Sequence, residues 1–283
     1  MIVITGASGQ LGHLVIQSLL RKVPASQIVA AVRNPAKATD LAALGVQLRQ
    51  ADYSQPATLD AAFAGAEKVL LISSSEVGQR TAQHRNVIDA AQRAGVKLVA
   101  YTSLLHAPGS PLALAEEHLA TEAHLSAVGI PHVLLRNGWY TENYLASIPP
   151  ALQHGAYIGC AGEGRIASAA RADYAEAAAT VLTQPDQAGK VYELAGDTSY
   201  SLAELAAELS RQAGKAIPYV NLPEAEFKAT LIDAGLPEGL AFVLSDSDAG
   251  AAKGALFDEQ RQLSALIGRP TASLASMVGA ALR

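Results

Sequence analysis

Cysteine is almost missing from this chain of 283 residues: Cys160 is the only one. A single thiol excludes an intramolecular disulfide and any Cys-rich metal site. No reactive-cysteine motif surrounds it, so it reads as a small buried residue rather than a nucleophile, and no metal site is expected. Long apolar runs are missing too. Half of the residues are hydrophobic, yet no run approaches the length needed to span a bilayer. No basic leader or small-residue cleavage pattern precedes the first strand, so the expectation is a cytoplasmic protein. Basic charge is not in excess either. The net charge is −5 and no basic stripe is present, which weighs against a general affinity for nucleic acid. There is no internal repeat and no low-complexity tract. Whether the chain is a monomer or a homodimer is left open.

What is present is concentrated at the beginning. Residues 1–12 read MIVITGASGQLG: a β-branched run, an abrupt stop at Gly6, then Gly9 and Gly12 at equal spacing ahead of a helical segment. Strand, glycine turn and helix N-terminus in that order form a phosphate-binding device. The first amides of the helix have no intrahelical acceptors, and the helix dipole favours an anion there. Gly6 permits the turn, Gly9 lets a pyrophosphate approach the backbone, and Gly12 lets the helix lie close to the strand. The spacing is GxxGxxG rather than the simplest GxGxxG fingerprint. Ser8, Gln10 and Leu11 lie in the same loop and join Gly6, Gly9 and Gly12 as candidate cofactor-binding residues.

Short β-branched runs then alternate with amphipathic segments. Strands are expected at 27–32, 46–49, 68–72, 96–101 and 132–135. Helices are expected from near Pro35 and over 56–63, 79–94 and 112–128. Strands spaced by helices mean βαβ units and a parallel sheet covered on both faces. Right-handed crossovers make it doubly wound. The expected fold is therefore α/β, a doubly wound parallel-sheet Rossmann domain over residues 1–137 with a smaller C-terminal α/β lobe over 138–283. Beyond Gly138 the pattern is less regular. A short strand is expected near 156–158, a helix over 171–183, a strand over 190–194 that returns to the main sheet, and a Ser-capped helix over 201–212. The remainder reads as helical with Pro and Gly breaks.

In dinucleotide folds, a carboxylate at the end of the second strand accepts a hydrogen bond from the 2′-hydroxyl of NAD and repels a 2′-phosphate. That strand ends here in Ala31-Val32-Arg33-Asn34, without an acid. The Arg33 fork suits a phosphate, with Lys37 one turn on to assist, so NADP (as NADPH) is favoured over NAD. Asp52 suits the adenine amino group, or is simply a turn former. Ser73-Ser74-Ser75, Thr102-Ser103 and Asn137-Gly138-Trp139-Tyr140 follow three successive strands. Ligands bind at that rim in parallel sheets. Trp139, Tyr140, Asn143 and Tyr144 offer flat apolar surface and an amide for a planar acceptor.

The segments TGASGQLG, AVRNPAKA, QADY and LRNGWYTENYL, in that order, resemble the NmrA-like group of atypical short-chain dehydrogenase/reductases. The resemblance covers essentially the whole chain and implies an NADP-binding fold. The segments ISSSEVGQRTAQHRNVIDAA and FDEQRQLSALIGRP are similar to its quinone-reducing members. It therefore implies hydride transfer from NADPH to a small-molecule quinone, giving a hydroquinone. Two other activities known in the group are a reductase of another hydride acceptor, such as a triarylmethane dye, and a non-catalytic NADP(H)-sensing regulator.

One departure from the parent superfamily matters. Its Tyr-x-x-x-Lys pair, in which Tyr protonates a reduced carbonyl oxygen, is absent: Leu114 stands at the Tyr position and His118 at the Lys position. A quinone tolerates that loss. Its reduction creates an aromatic ring whose phenolate oxygens are weak bases, so water can supply protons while the protein positions the reactants. His118 is then a candidate proton donor or ribose contact, or a helix-surface histidine without a role. Asn143 is the first candidate for contact with a quinone oxygen, flanked by Tyr140 and Tyr144.

Overall fold

The computed structural model describes residues 1–283. Its strands are β1 (Ile2–Ile4), β2 (Ile28–Val32), β3 (Gln47–Gln50), β4 (Lys68–Leu71), β5 (Leu98–Leu104), β6 (His132–Asn137), β7 (Tyr157–Gly159), β8 (Val191–Leu194) and β9 (Tyr219–Asn221). Helices α1 (Gln10–Leu20), α2 (Thr39–Ala43), α3 (Pro56–Ala62), α4 (Arg80–Arg93) and α5 (Ala115–Val128) alternate with the first six strands. They are followed by α6 (Thr141–Leu145), α7 (Ile148–His154), α8 (Arg171–Thr183), α9 (Leu202–Ala213), α10 (Glu224–Asp233), α11 (Glu238–Ala251), α12 (Gln262–Ile267) and α13 (Leu274–Ala281).

Two compact units emerge. The first comprises Met1–Ala107, Glu116–Asn137 and Arg171–Tyr192; the second comprises Pro108–Ala115, Gly138–Ala170 and Glu193–Arg283. Helix α8, which the sequence division at residue 138 assigns to the smaller lobe, groups with the first unit. The reason is its small, apolar face. Ala175, Ala178, Ala179 and Leu182 are buried, and α8 packs on α1, β4 and β5.

The main sheet runs β3-β2-β1-β4-β5-β6-β8. Ile2 pairs in parallel with Ile28 on one side and Lys68 on the other, so the chain winds outward from β1 in one direction and then in the other. The crevice between β1 and β4 is the topological switch point, where such sheets bind ligands. Alternate residues serve opposite faces. Val3, Val29, Ala31, Val69, Leu71, Val99 and Tyr101 pack with Leu59, Phe63, Val87, Ile88, Ala91 and Leu125 in one buried cluster. The opposite face carries Ile4, Ile28 and Leu70, all fully buried. Burial on both faces explains why these strands read as continuous apolar runs.

Several local expectations change. Instead of a helix from Pro35 there is a 3-10 turn Pro35–Lys37, because the Asn34 side chain accepts from the Ala36 amide at 3.1 Å and closes a tighter turn before α2. Strand β5 runs on to Leu104, so Thr102 and Ser103 lie within it.

In the second unit, residues beyond Gln212 are not all helical. Tyr219–Asn221 forms β9 and pairs in parallel with β7, Tyr157 opposite Tyr219. Pro218 prevents helix continuation, and its carbonyl accepts the Tyr157 amide at 2.9 Å. Helix α9 begins with a full capping box between Ser201 and Glu204. Gly159 closes β7 because a Cβ there would lie 2.7 Å from Leu202 Cδ1 and 2.8 Å from an Asp248 oxygen.

Candidate active site

The loop from β1 to α1 is built by backbone. Gly6 adopts a left-handed φ of +59°, and its carbonyl accepts the Gly9 amide at 3.0 Å. A Cβ on Gly12 would sit 2.5 Å from that same carbonyl oxygen and 2.7 Å from Ala7 Cα, so only glycine fits. Gly9 caps α1 without a side-chain hydrogen bond, and the first turn holds no acid. The first amides of α1 are thus left without a side-chain acceptor, as a pyrophosphate site requires. Gly6, Ser8, Gly9, Gln10, Leu11 and Gly12 thus share one turn. A Tyr53 hydroxyl braces it from below, 2.5 Å from Thr5 Oγ1 and 2.8 Å from the Ile72 carbonyl. Gln10 Oε1 accepts from Arg171 Nη1.

At the end of β2, Arg33 is 74% exposed and its Nη1 donates to Glu76 Oε1 at 3.1 Å. The Asp52 carboxylate accepts the Ser54 amide at 2.8 Å and the Gln55 side chain at 3.2 Å; its oxygens form a local turn. Ser73 meets Thr102 across the ends of β4 and β5, the Ser73 amide donating to Thr102 Oγ1 at 2.8 Å. Ser103 points the other way. Its hydroxyl donates to Glu122, which is paired with Arg136 at 2.6 Å, so only one of this serine–threonine pair reaches the expected rim.

The segment after β4 is tied down by groups that carry no local signature. His84 Nε2 accepts the Ser74 amide at 2.9 Å, and its Nδ1 lies 2.9 Å from Thr121 Oγ1. The Thr121 hydroxyl donates to the Glu117 carbonyl at 2.8 Å, so the His84 proton resides on Nδ1. Burial, reinforced by Arg80, pulls His84 down to a pKa of about 3. Arg80 Nε donates to the Ser74 carbonyl at 2.8 Å, and Nη1 lies 3.5 Å from Glu117 Oε2. Glu117 Oε1 in turn accepts the Gly78 amide at 3.1 Å.

His118 is not the surface histidine that was one of its expected readings. It is buried on α5, with Nδ1 2.6 Å from the Tyr101 hydroxyl. Burial holds it well below the ordinary histidine range, with Arg80 and His84 adding to the effect. A neutral imidazole bound to a phenol is a poor proton donor, and the geometry gives His118 a structural partner in Tyr101. Period-two alternation along β5 carries the missed signal: Tyr101 and Ser103 face the helices, and Thr102 faces the other side.

In the second unit, Trp139, Asn143 and Tyr144 line one cavity with Tyr157, Phe227 and Asp248; Tyr140 is not among its lining residues and is bridged to Ala169. The Asp248 carboxyl is buried, accepting the Cys160 amide at 3.0 Å and the Tyr144 hydroxyl at 3.2 Å. Burial raises it to a pKa of about 6. The same environment pushes the Cys160 thiol up to about 12, which disfavours the thiolate.

The NmrA-like family model matches residues 1–264. This chain belongs to the NmrA-like family. It is 64% identical to Quinone oxidoreductase 2 of Escherichia coli (strain K12) over 278 residues, covering 98% of this chain and 97% of that protein. A crystal structure of an NADPH-dependent quinone oxidoreductase from Escherichia coli, complexed with NADPH, superposes with a TM-score of 0.98 at 62% identity and covers 100% of both chains. Citrobacter sp. triphenylmethane reductase complexed with NADP(H) gives a TM-score of 0.95 at 41% identity, covering 99% of this chain and 100% of that one. The doubly wound α/β fold expected from the order of elements is the fold observed. No helix is long and apolar enough to cross a membrane.

Proposed function

We propose that this protein is an NADPH-dependent quinone oxidoreductase: NADPH, a proton and a quinone give NADP and a hydroquinone. The observation that carries this reading is the full-length likeness to an enzyme named for that reaction. The phosphate loop supports it independently. Gly12 lets α1 pack against the Ala7 backbone where any Cβ would clash, and the uncapped α1 N-terminus is suited to a pyrophosphate.

Gly6, Ser8, Gly9, Gln10, Leu11 and Gly12 hold the pyrophosphate. Arg33, assisted by Lys37, takes the 2′-phosphate. Ser73, Ser74 and Ser75 follow β4 and Asn137 ends β6; we assign these residues, and Gly138, Trp139 and Tyr140 of the second unit, to nucleotide binding. Bound NADPH supplies the hydride. The Asn143 amide donates to a quinone oxygen, while the faces of Trp139, Tyr140 and Tyr144 hold the ring and exclude water. Solvent supplies the proton, because neither the neutral His118 nor any tyrosine at position 114 is there to do so. A lone thiol suits a cytoplasmic setting.

The test is nicotinamide absorbance followed with a benzoquinone or naphthoquinone, NADPH and NADH side by side. Rapid quinone-dependent oxidation favouring NADPH is expected. Tight NADPH binding without turnover on quinones would overturn the reading.

A further inference from the structure

The Arg33–Glu76 pair is more constrained than its position suggests. Exposed ion pairs are individually weak because both side chains are free to wander. Glu76 is not free. Its Oε2 accepts from Gln83 Nε2 at 2.7 Å, and Gln83 is only 5% exposed. The same Gln83 nitrogen reaches Ser54 Oγ at 3.2 Å. The Glu76 amide donates to Ser74 Oγ at 3.1 Å. One carboxylate oxygen is therefore anchored on α4, which leaves the other to engage the Arg33 guanidinium.

A 2′-phosphate approaching Arg33 meets this carboxylate. Two anions would share one cation, or Glu76 must give up Arg33. The 2′-hydroxyl of NADH carries no charge and can instead donate to the carboxylate. That is the role an acid at the end of the second strand plays in NAD-specific folds. Here the acid would come from the segment after β4.

We propose that Glu76 is a specificity-determining residue that weakens NADPH binding relative to NADH by holding Arg33 in a pair the 2′-phosphate must open. The inference rests on the NADPH reading given above. It predicts that this protein discriminates less sharply between the two nucleotides than Arg33 alone would allow. Salt that screens the pair narrows the effect.

The test is calorimetric titration of the intact protein and of Glu76→Gln with NADPH and with NADH, without any quinone. Glutamine keeps the contact with Gln83 and removes the charge. The NADPH dissociation constant is expected to fall about two- to fivefold, the range set by an exposed ion pair, while that for NADH is unchanged or rises. An unchanged or weaker affinity for NADPH, or an equal gain for both nucleotides, overturns the proposal and leaves the cofactor assignment standing. Failure of the unsubstituted protein to bind NADPH overturns both.

Discussion

The Tyr101 hydroxyl and His118 Nδ1 lie 2.6 Å apart in a buried pocket of the first unit. His84 stacks edge-on to the same phenol, with ring centroids 5.4 Å apart. Burial raises the Tyr101 pKa and depresses those of both histidines, so the three side chains form a neutral set in which His118 is hydrogen-bonded to the phenol and His84 packs edge-on against it. Its effect is to fix α4 and α5 against β5 without placing charge inside the sheet.

Tyr101→Phe strands the His118 nitrogen without its partner. An unsatisfied buried polar group costs about 1–3 kcal/mol, and chemical denaturation should show a loss of that order. The pH profile of NADPH oxidation should keep its shape. A displaced or missing ionisation in that profile would instead mean that His118 handles a proton during turnover.

His84 makes the protein acid-sensitive. Its pKa is lowered from an ordinary 6.5 to about 3 on folding, so between those values the unfolded chain binds the extra proton. Stability is therefore full above about pH 6.5 and declines as pH falls toward 3. The Ser74 amide loses its acceptor when Nε2 is protonated. His84→Gln should flatten the decline measured by denaturation at pH 7 and pH 5; an unaltered slope would assign the acid sensitivity to other groups.

Asp248 has the opposite sign. Its pKa is raised from 3.8 to about 6, so the folded state holds the proton more tightly, and stability falls as pH rises from about 4 to 6. Above that range the full penalty of a buried carboxylate persists. Tyr144, Tyr157 and Tyr219 surround it, with Cys160 and Glu224 beyond, and none of these supplies positive charge. Asp248→Asn removes the charge, so the melting temperature of the variant relative to the parent should rise between pH 4 and pH 7. A difference that stays constant with pH would show that the carboxyl does not titrate there.

Gly12→Ala drives a methyl group into backbone atoms of the phosphate loop, which cannot move aside as a side chain can. Overpacking of this kind destabilises by about 1–3 kcal/mol. NADPH affinity should fall as well, because the Gly6 and Ala7 backbone that must shift belongs to the turn proposed to hold the pyrophosphate. Calorimetric titration alongside a thermal melt separates the two effects; unaltered NADPH affinity would remove Gly12 from the cofactor site.

The sequence discloses the elements whose signals are local. Helix α8 spans residues 171–183 as its pattern indicates, and the β1–α1 turn is readable because Gly6 takes a left-handed φ that favours glycine and Gly12 sits where any Cβ would meet backbone. Strand β9 is hidden because it is three residues long, mostly exposed and placed after Pro218. The His84–Tyr101–His118 set is hidden for a different reason. Each member is unremarkable in its own segment, and their chemistry exists only once α4 and α5 are laid against β5. Arg33 was legible from its place after β2, but its partner Glu76 is 43 residues further on, and no local pattern joins them. Asn143 was legible as a polar residue among aromatics; Asp248, more than a hundred residues away in the same cavity wall, was not.

The two units are each assembled from three separate stretches of chain, so the polypeptide passes from one to the other five times. No single cut releases either as a continuous fragment. Neither half can have been joined to the other by simple gene fusion in its present form, and neither can be grafted elsewhere as a cassette. A nick near residue 137 would leave both units incomplete, so the nucleotide-holding and cavity-bearing parts of this protein must fold, persist and be degraded as a single inheritance.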